Sequence, residues 1–247
     1  MMPVLLTLGS FKIYTYGTLI ALGVWLAVRG MRQRAHGIAA LREDQIYDMV
    51  FTVLAAGFLG ARIFYVAQHA DWYLARPLEV LAFWQGGLVF YGGYPLGVAA
   101  LFVYYRFQKI PAAEGFDFLV PYVALVQGFG RIGCFLNGCC YGGACGLPWA
   151  VTFPESGGPV HPAQLYEAFF DFALYYLLLR LAARRKFPWA VTLAYFFLYA
   201  AGRFLIEFIR TDNPGWLLTW NQWISLAVAA IAAGFYFLFN RKRPRFS

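Results

Sequence analysis

The feature that most constrains this chain is its succession of long apolar runs with few charges inside them. Seven segments, approximately 12–32, 45–67, 88–106, 116–136, 163–182, 189–209 and 222–239, each approach the ~20 residues a helix needs to cross the hydrocarbon of a bilayer. At that depth every backbone polar group must be bonded within the protein, which leaves helices or a closed barrel. The 25 Phe, 17 Tyr and 8 Trp fall too irregularly for the ~10-residue alternating strands of a barrel, so the spans are helices. Only 13% of the 247 residues are charged, against about 25% in soluble domains, and that excludes soluble enzymes and disordered interactors. The predicted fold class is an all-α integral membrane protein of seven transmembrane helices, a single domain over 1–247. Within it, segment 68–87, with Trp72, Tyr73 and Trp84, is predicted to lie along the outer interface, and 138–162 to form an outer loop over a site.

A net charge of +8 would suggest nucleic acid as the partner of a soluble protein, but the placement of the charges argues otherwise. Arg29, Arg32, Arg34 and Arg42 fall between spans one and two, and Arg106 and Lys109 between three and four. Arg180, Arg184, Arg185 and Lys186 link five to six, and Arg241, Lys242, Arg243 and Arg245 form the tail. These fourteen of the 20 Lys and Arg occupy alternate connections, so the positive-inside rule puts the N-terminus outside and the C-terminus in the cytoplasm. No nucleic-acid partner is expected. Residues 1–10 lack a basic region of the signal-peptide type, so the first span is read as the anchor.

Lys12 and Arg76 lie in outer connections, where stray charges are ordinary. Arg62, Arg131, Arg203 and Arg210 differ: each lies in the last turns of a span that runs outward, so all four converge on the outer leaflet. An ionisable group inside a span costs ~2.5–3.5 kcal/mol on insertion scales, so such groups face the bundle interior and mark function unless they snorkel to the interface. A guanidinium is a rigid fork of donors matched to phosphate, and the anion at that level is a phospholipid headgroup. Gln164, Glu167 and Asp171 are spaced to share one face of span five, behind a helix start marked by Pro162. In span six Arg203, Glu207 and Arg210 recur at the same spacing, and because Arg before Glu is the weaker order for a local pair, Glu207 is expected to hold Arg210 or a group on another helix. A structural ion-pair network is the competing reading.

Glycines form the third element. Gly86, Gly87, Gly92 and Gly93 bracket the mouth of span three, and Gly128, Gly130, Gly133 and Gly138 run through the outer part of span four. Close helix approach is their commonest use, and irregular backbone lining a cavity is the alternative. Cys134, Cys139, Cys140 and Cys145 fall at the outer end of span four and beyond it. A disulfide, for instance through Cys145, is the first reading on an oxidising face, and small buried hydrophobes the second. The spacing is not C-x-x-C, so no metal is expected; a catalytic thiol ranks last.

Gly130-Arg131-Ile132-Gly133-Cys134-Phe135-Leu136-Asn137-Gly138, followed by Tyr141-Gly142, resembles the signature segment of the prolipoprotein diacylglyceryl transferase family. Tyr16-Gly17, Gly60-Ala61-Arg62, Gly86 to Gly93, His161 to Glu167, Gly202 to Arg210 and Asn221 to Ser225 agree in order, covering nearly the whole chain. The resemblance implies transfer of diacylglyceryl from phosphatidylglycerol to a lipobox cysteine of a prolipoprotein in the bacterial inner membrane, releasing glycerol phosphate without a cofactor. It implies Arg131 and Arg203 at the phosphate, with Arg62 and Arg210 in support and Glu207 orienting an arginine. Tyr16, Asn137, Gly142, Gln164, Tyr166 and Glu167 then line the cavity for lipid and thiol. The family pattern departs from this chain at three positions: His where Tyr91 stands, commonly Asn at Cys134 and Glu at Cys139. His is the family's proposed base for the thiol; here either His161 accepts the proton, or the arginine field ionises the thiol, or the chain is a paralogue with altered chemistry. Tyr91 is expected to hydrogen-bond the headgroup.

Other classes fit less well. A retinal protein needs a lysine in the seventh span, which this sequence lacks. A transporter would place its polar groups at the midplane and show paired repeats, whereas these groups crowd one leaflet. A noncatalytic phospholipid-binding protein is the remaining alternative, and consumption of phosphatidylglycerol separates it from an enzyme.

Overall fold

The computed structural model describes residues 2–8, 11–35, 41–82, 86–185, 187–210 and 218–241. Trp84, Lys186, Lys242, Arg243 and Arg245, used in the sequence reading, lie outside them. The described residues form seven long helices: α1 (Thr15–Ala35), α2 (Glu43–Gln68), α4 (Phe90–Phe107), α5 (Ala112–Asn137), α6 (Ala163–Ala183), α7 (Ala190–Glu207) and α8 (Trp220–Arg241), with a short α3 (Ala70–Ala75). Each long helix falls on one of the seven apolar segments. Four of them, α2, α5, α7 and α8, are long and apolar enough by length and composition to cross a membrane. The remaining three carry more polar side chains or glycine: arginines at the end of α1, tyrosines and glycines in α4, and the Gln164, Glu167 and Asp171 face of α6.

Two short hairpins are absent from the sequence reading. β1 (Val4–Leu8) pairs antiparallel with β2 (Phe11–Tyr14), so residues 12–14, assigned to the first span, are strand, and the helix starts at Thr15. The Thr15 hydroxyl bonds the Met2 carbonyl and its N–H donates to Pro3 O at 3.0 Å, which satisfies orphan donors at the helix start. β3 (Val151–Thr152) and β4 (Pro159–Val160) pair inside segment 138–162.

The chain divides into two units, Met1–Met31 with Phe116–Ser247, and Arg32–Gly115. In the second unit α2 and α4 pack along glycines. A Cβ on Gly92 would lie 2.3 Å from the Gly60 carbonyl oxygen and one on Gly60 would lie 2.5 Å from that of Gly92, so the seam admits no side chain at either position. Here close approach is the glycines' role.

In the first unit a core of Val120, Ala124, Leu174, Leu178, Val191 and Tyr195 joins α5, α6 and α7. Buried Asp117 on α5 adds a polar tie: its Oδ1 accepts the Thr192 N–H at 2.8 Å and the Thr192 hydroxyl at 2.7 Å, capping the start of α7 from a neighbouring helix. At α8 the cap is local and reciprocal. Thr219 N–H donates to Gln222 Oε1 at 2.9 Å and Gln222 N–H to Thr219 Oγ1 at 3.2 Å, a Thr-x-x-Gln capping box readable in the sequence.

Candidate active site

About two helical turns from the α5–α6–α7 core, forward along α5 and α7 and backward along α6, stand Arg131, Glu167 and Arg203. Their level is set by the packing beneath them. Arg131 Nε pairs with Glu167 Oε2, and the other oxygen of Glu167 lies 3.5 Å from Nη1 of Arg210, just past the end of α7. One buried carboxylate thus holds two guanidinium groups. Tyr199, one turn before Arg203, lies beside Arg131.

Glu207 organises the second half of the cluster. Its Oε2 lies 2.6 Å from Arg203 Nη1, and its Oε1 accepts from Asn221 Nδ2 at 2.8 Å and Thr219 Oγ1 at 3.1 Å. Of the two expected partners, a group on another helix is present in Asn221 of α8, whereas Arg210 is held by Glu167. The Arg203-to-Glu207 order is weak for an isolated helix, but donors from the start of α8 fix Glu207 from the other side, and burial strengthens both contacts. Three arginines meet two glutamates here. Buried Asp171, one turn beyond Glu167, forms no ion pair among the described residues and helps line a narrow cleft with Glu167, Phe170, Tyr199, Arg203 and Ile206.

The loop between α5 and α6 carries the remaining groups. Gly142 N–H donates to His161 O at 2.9 Å, Gly143 N–H to Ile209 O at 2.8 Å, and His161 N–H to Gly143 O at 2.9 Å, which binds the loop to itself and to the end of α7. A Cβ on Gly142 would stand 2.5 Å from Ile209 O, so this approach requires glycine. His161 Nδ1 lies 3.4 Å from the Tyr166 hydroxyl, which accepts from Trp149 Nε1 at 2.7 Å. Gln164, fully buried, donates through Nε2 to Cys139 O at 2.6 Å. Tyr16 on α1 packs on Gly133, where a Cβ would lie 2.8 Å from its ring. Exposed Asn137 closes α5, with Nδ2 3.9 Å from Cys139 Sγ.

All four cysteines are free, so the expected disulfide is not formed. Cys145 is buried, its N–H bonded to Pro159 O at 2.9 Å, and matches the second reading, a small hydrophobe. Cys134, Cys139 and Cys140 instead gather, their sulfurs all within 4.8 Å of one another. The Cys140 thiol is lowered to about 5 by its hydrogen bond with Cys134, with Cys139, Arg210 and Arg131 adding to the effect, while burial and Cys140 raise the Cys139 thiol.

Two of the sequence-derived candidates belong to the other unit. Arg62 is 7% exposed, and four backbone carbonyls take up its donors: Glu79 O at 2.7 Å, Gly86 O at 2.8 Å, Val80 O at 2.9 Å and Gly87 O at 3.2 Å. Tyr65 and Tyr73 flank its guanidinium at 5.7 and 5.4 Å. This arginine ties residues 79–80 and 86–87 to α2. Tyr91, in the first turn of α4, is 75% exposed.

The model of the family described as prolipoprotein diacylglyceryl transferase matches residues 3–238. The chain belongs to this family. The phosphatidylglycerol–prolipoprotein diacylglyceryl transferase of Clostridium tetani is 36% identical over 252 residues, covering 99% of both chains. That of Geobacter sulfurreducens is 37% identical over 85% of this chain and 83% of its own. A relative from Clostridium perfringens whose name carries the suffix 2 is 33% identical over 89% and 88%. Sequence reasoning missed Tyr199, Thr219 and Trp149. Thr219 was legible through its capping box, whereas Tyr199 and Trp149 carry no local signal.

Proposed function

We propose that this chain transfers the diacylglyceryl group of phosphatidylglycerol to the thiol of a lipobox cysteine in a prolipoprotein, releasing glycerol phosphate. The observation that carries the reading is the cluster of Arg131, Arg203 and Arg210 held by Glu167 and Glu207. The acceptor thiolate attacks the glyceryl carbon, the C–S bond forms as the C–O bond to phosphorus breaks, and the phosphate leaves with one more negative charge than the diester carried. Guanidinium groups fixed beforehand interact more strongly with that growing charge than with the bound lipid, and such selective stabilisation lowers the barrier. Arg131 and Arg203 face the phosphate, with Arg210 in support; Glu167 and Glu207 orient them. Arg62 is a second-line contributor that braces residues 79–80 and 86–87. His161 accepts the thiol proton, Tyr91 hydrogen-bonds the headgroup, and Tyr16, Asn137, Gly142, Gln164 and Tyr166 line the cavity.

In this reading all seven long helices span the bacterial inner membrane as a single domain over 1–247, with the N-terminus outside and the C-terminus in the cytoplasm. Segment 68–87 lies along the outer interface and 138–162 covers the site. The test is an assay of purified protein in phosphatidylglycerol micelles with a lipobox peptide, following glycerol phosphate release and peptide mass. A diacylglyceryl mass gain, lost in Arg131→Ala, is the expected result. Folded protein that binds the lipid and releases nothing overturns it in favour of a lipid-binding relative.

A further inference from the structure

Three thiols converge where the backbone after α5 turns back on itself. Gly138 (φ 79°) ends the helix, Cys139 N–H returns to Cys134 O at 3.2 Å, and Cys140 sits in the left-handed region (φ 64°). The turn brings two loop sulfurs over the sulfur of Cys134 in the last turns of α5. Cys139 and Cys140 Sγ are 3.6 Å apart, and all three sulfurs lie within 4.8 Å of one another. Tetrahedral zinc with Zn–S bonds of ~2.3 Å places its sulfurs about 3.8 Å apart, so two of the three already stand at ligand spacing and the third needs about an ångström of closure at most. The expectation of no metal rested on linear spacing. The turn makes Cys-x4-Cys-Cys a convergent set.

We propose that Cys134, Cys139 and Cys140 hold one thiophilic divalent cation of the zinc class, and that its open fourth position receives the sulfur of the acceptor cysteine. The second part rests on the transferase reading above. Three protein ligands and one free position is the composition of a catalytic rather than a structural zinc site. Surrounding groups suit it. Gln164, fully buried, holds the Cys139 carbonyl at 2.6 Å and fixes that ligand's backbone, while its Oε1 has no partner among the described residues. Arg131 and Arg210 lie within electrostatic reach of Cys140 and offset the single negative charge of a divalent ion with three thiolates. On binding, each ligand thiol releases its proton to water. The acceptor thiol binds as thiolate with its proton passing to His161, attacks the glyceryl carbon, and leaves the ion as a neutral thioether while glycerol phosphate departs with the electron pair of the broken C–O bond.

Cobalt(II) is the probe. Chelator-stripped, reduced protein in detergent is expected to take up one equivalent, with sulfur-to-cobalt charge-transfer absorption that zinc displaces. Cys134→Ser/Cys139→Ser/Cys140→Ser is expected to lose the band. Because the triple variant can fail to fold, Cys140→Ser alone, at an exposed position, is expected to lower cobalt affinity at least about tenfold with an unchanged helical circular dichroism spectrum. Adding a lipobox peptide is expected to shift the cobalt ligand-field bands, and the same peptide with Ser for Cys to leave them unmoved. Stripping zinc is expected to slow glycerol phosphate release at least about tenfold, with recovery on reloading. Uptake well below one equivalent, a band unchanged in the variants, or a thiol titration showing two of the three sulfurs oxidised to a disulfide overturns the site. Release that continues unchanged without metal overturns the acceptor role while leaving the transferase reading intact. Stoichiometric cobalt in a protein that never releases glycerol phosphate overturns the transferase reading and leaves the site.

Discussion

Arg62 and Arg131 both lie in the last turns of long apolar helices, α2 and α5, yet their surroundings differ in kind. Arg62 is encircled by backbone carbonyls of Glu79, Val80, Gly86 and Gly87, neutral acceptors that engage all three of its nitrogens and tie a loop to a helix. Arg131 is held by the carboxylate of Glu167, which is shared with Arg210, beside a second pair from Arg203 to Glu207. An arginine whose donors all end on carbonyls is a brace. A cluster in which three arginines share two carboxylates keeps positive charge for a ligand. Depth in a span identifies an arginine as costly and therefore selected, but its partners decide whether it braces or binds.

The largest effect expected from this contrast is on turnover. Arg131→Ala is expected to cut glycerol phosphate release by about 10²–10³-fold, the usual loss when one preorganised donor to a developing anion is removed. Arg62→Ala is expected to lower thermal stability in detergent and to expose the backbone at residues 79–80 and 86–87 to amide exchange, with turnover per folded molecule falling by much less. Equal turnover losses, with unchanged stability in Arg62→Ala, would erase the distinction.

Comparable in size but on stability rather than turnover is Glu167→Gln, which strips the shared carboxylate from two arginines and is expected to cost about 3 kcal/mol, read from unfolding in detergent. Glu207→Gln keeps an amide oxygen for Asn221 and Thr219 and is expected to cost less. The reverse ranking would mean that Glu207, rather than Glu167, holds the cluster together. Gly92→Ala, with its Cβ driven to 2.3 Å from the Gly60 carbonyl, is expected to destabilise by about 1–3 kcal/mol as α2 and α4 separate. An unchanged melting temperature would show that this seam yields. The smallest effect is at Tyr91→Phe, where one hydrogen bond to the headgroup is worth about 0.5–1.5 kcal/mol, a loss of up to roughly tenfold in rate. Wild-type activity there counts against a role for its hydroxyl.

Much of the helix order was legible, because uninterrupted apolar length is a local property that a bilayer reads directly. The face formed by Gln164, Glu167 and Asp171 was legible for a similar reason: helical spacing alone puts these residues on one side, and all three are buried. The N-terminal hairpin was not, since Ile13 and Tyr14 continue the apolar run and only pairing with Val4–Leu8 makes them strand. For Glu207 the expected group on another helix is present as Asn221 of α8, while the arginine it pairs with is Arg203 rather than Arg210, since both lie within a turn of it. Donors from Thr219 and Asn221, brought in by α8, settle which one it holds.

The sequence by itself determined that this chain is a helical membrane protein, which transferase family it belongs to, and which arginines lie toward the ends of apolar segments. These follow from residue type and from spacing along one helix. Tertiary structure decided the pairing of Arg131 with Glu167, the bracing of Arg62 by four carbonyls and the gathering of Cys134, Cys139 and Cys140. Partner choice among buried charges and thiols depends on distances of a few ångströms across helices and turns, and linear spacing does not encode them.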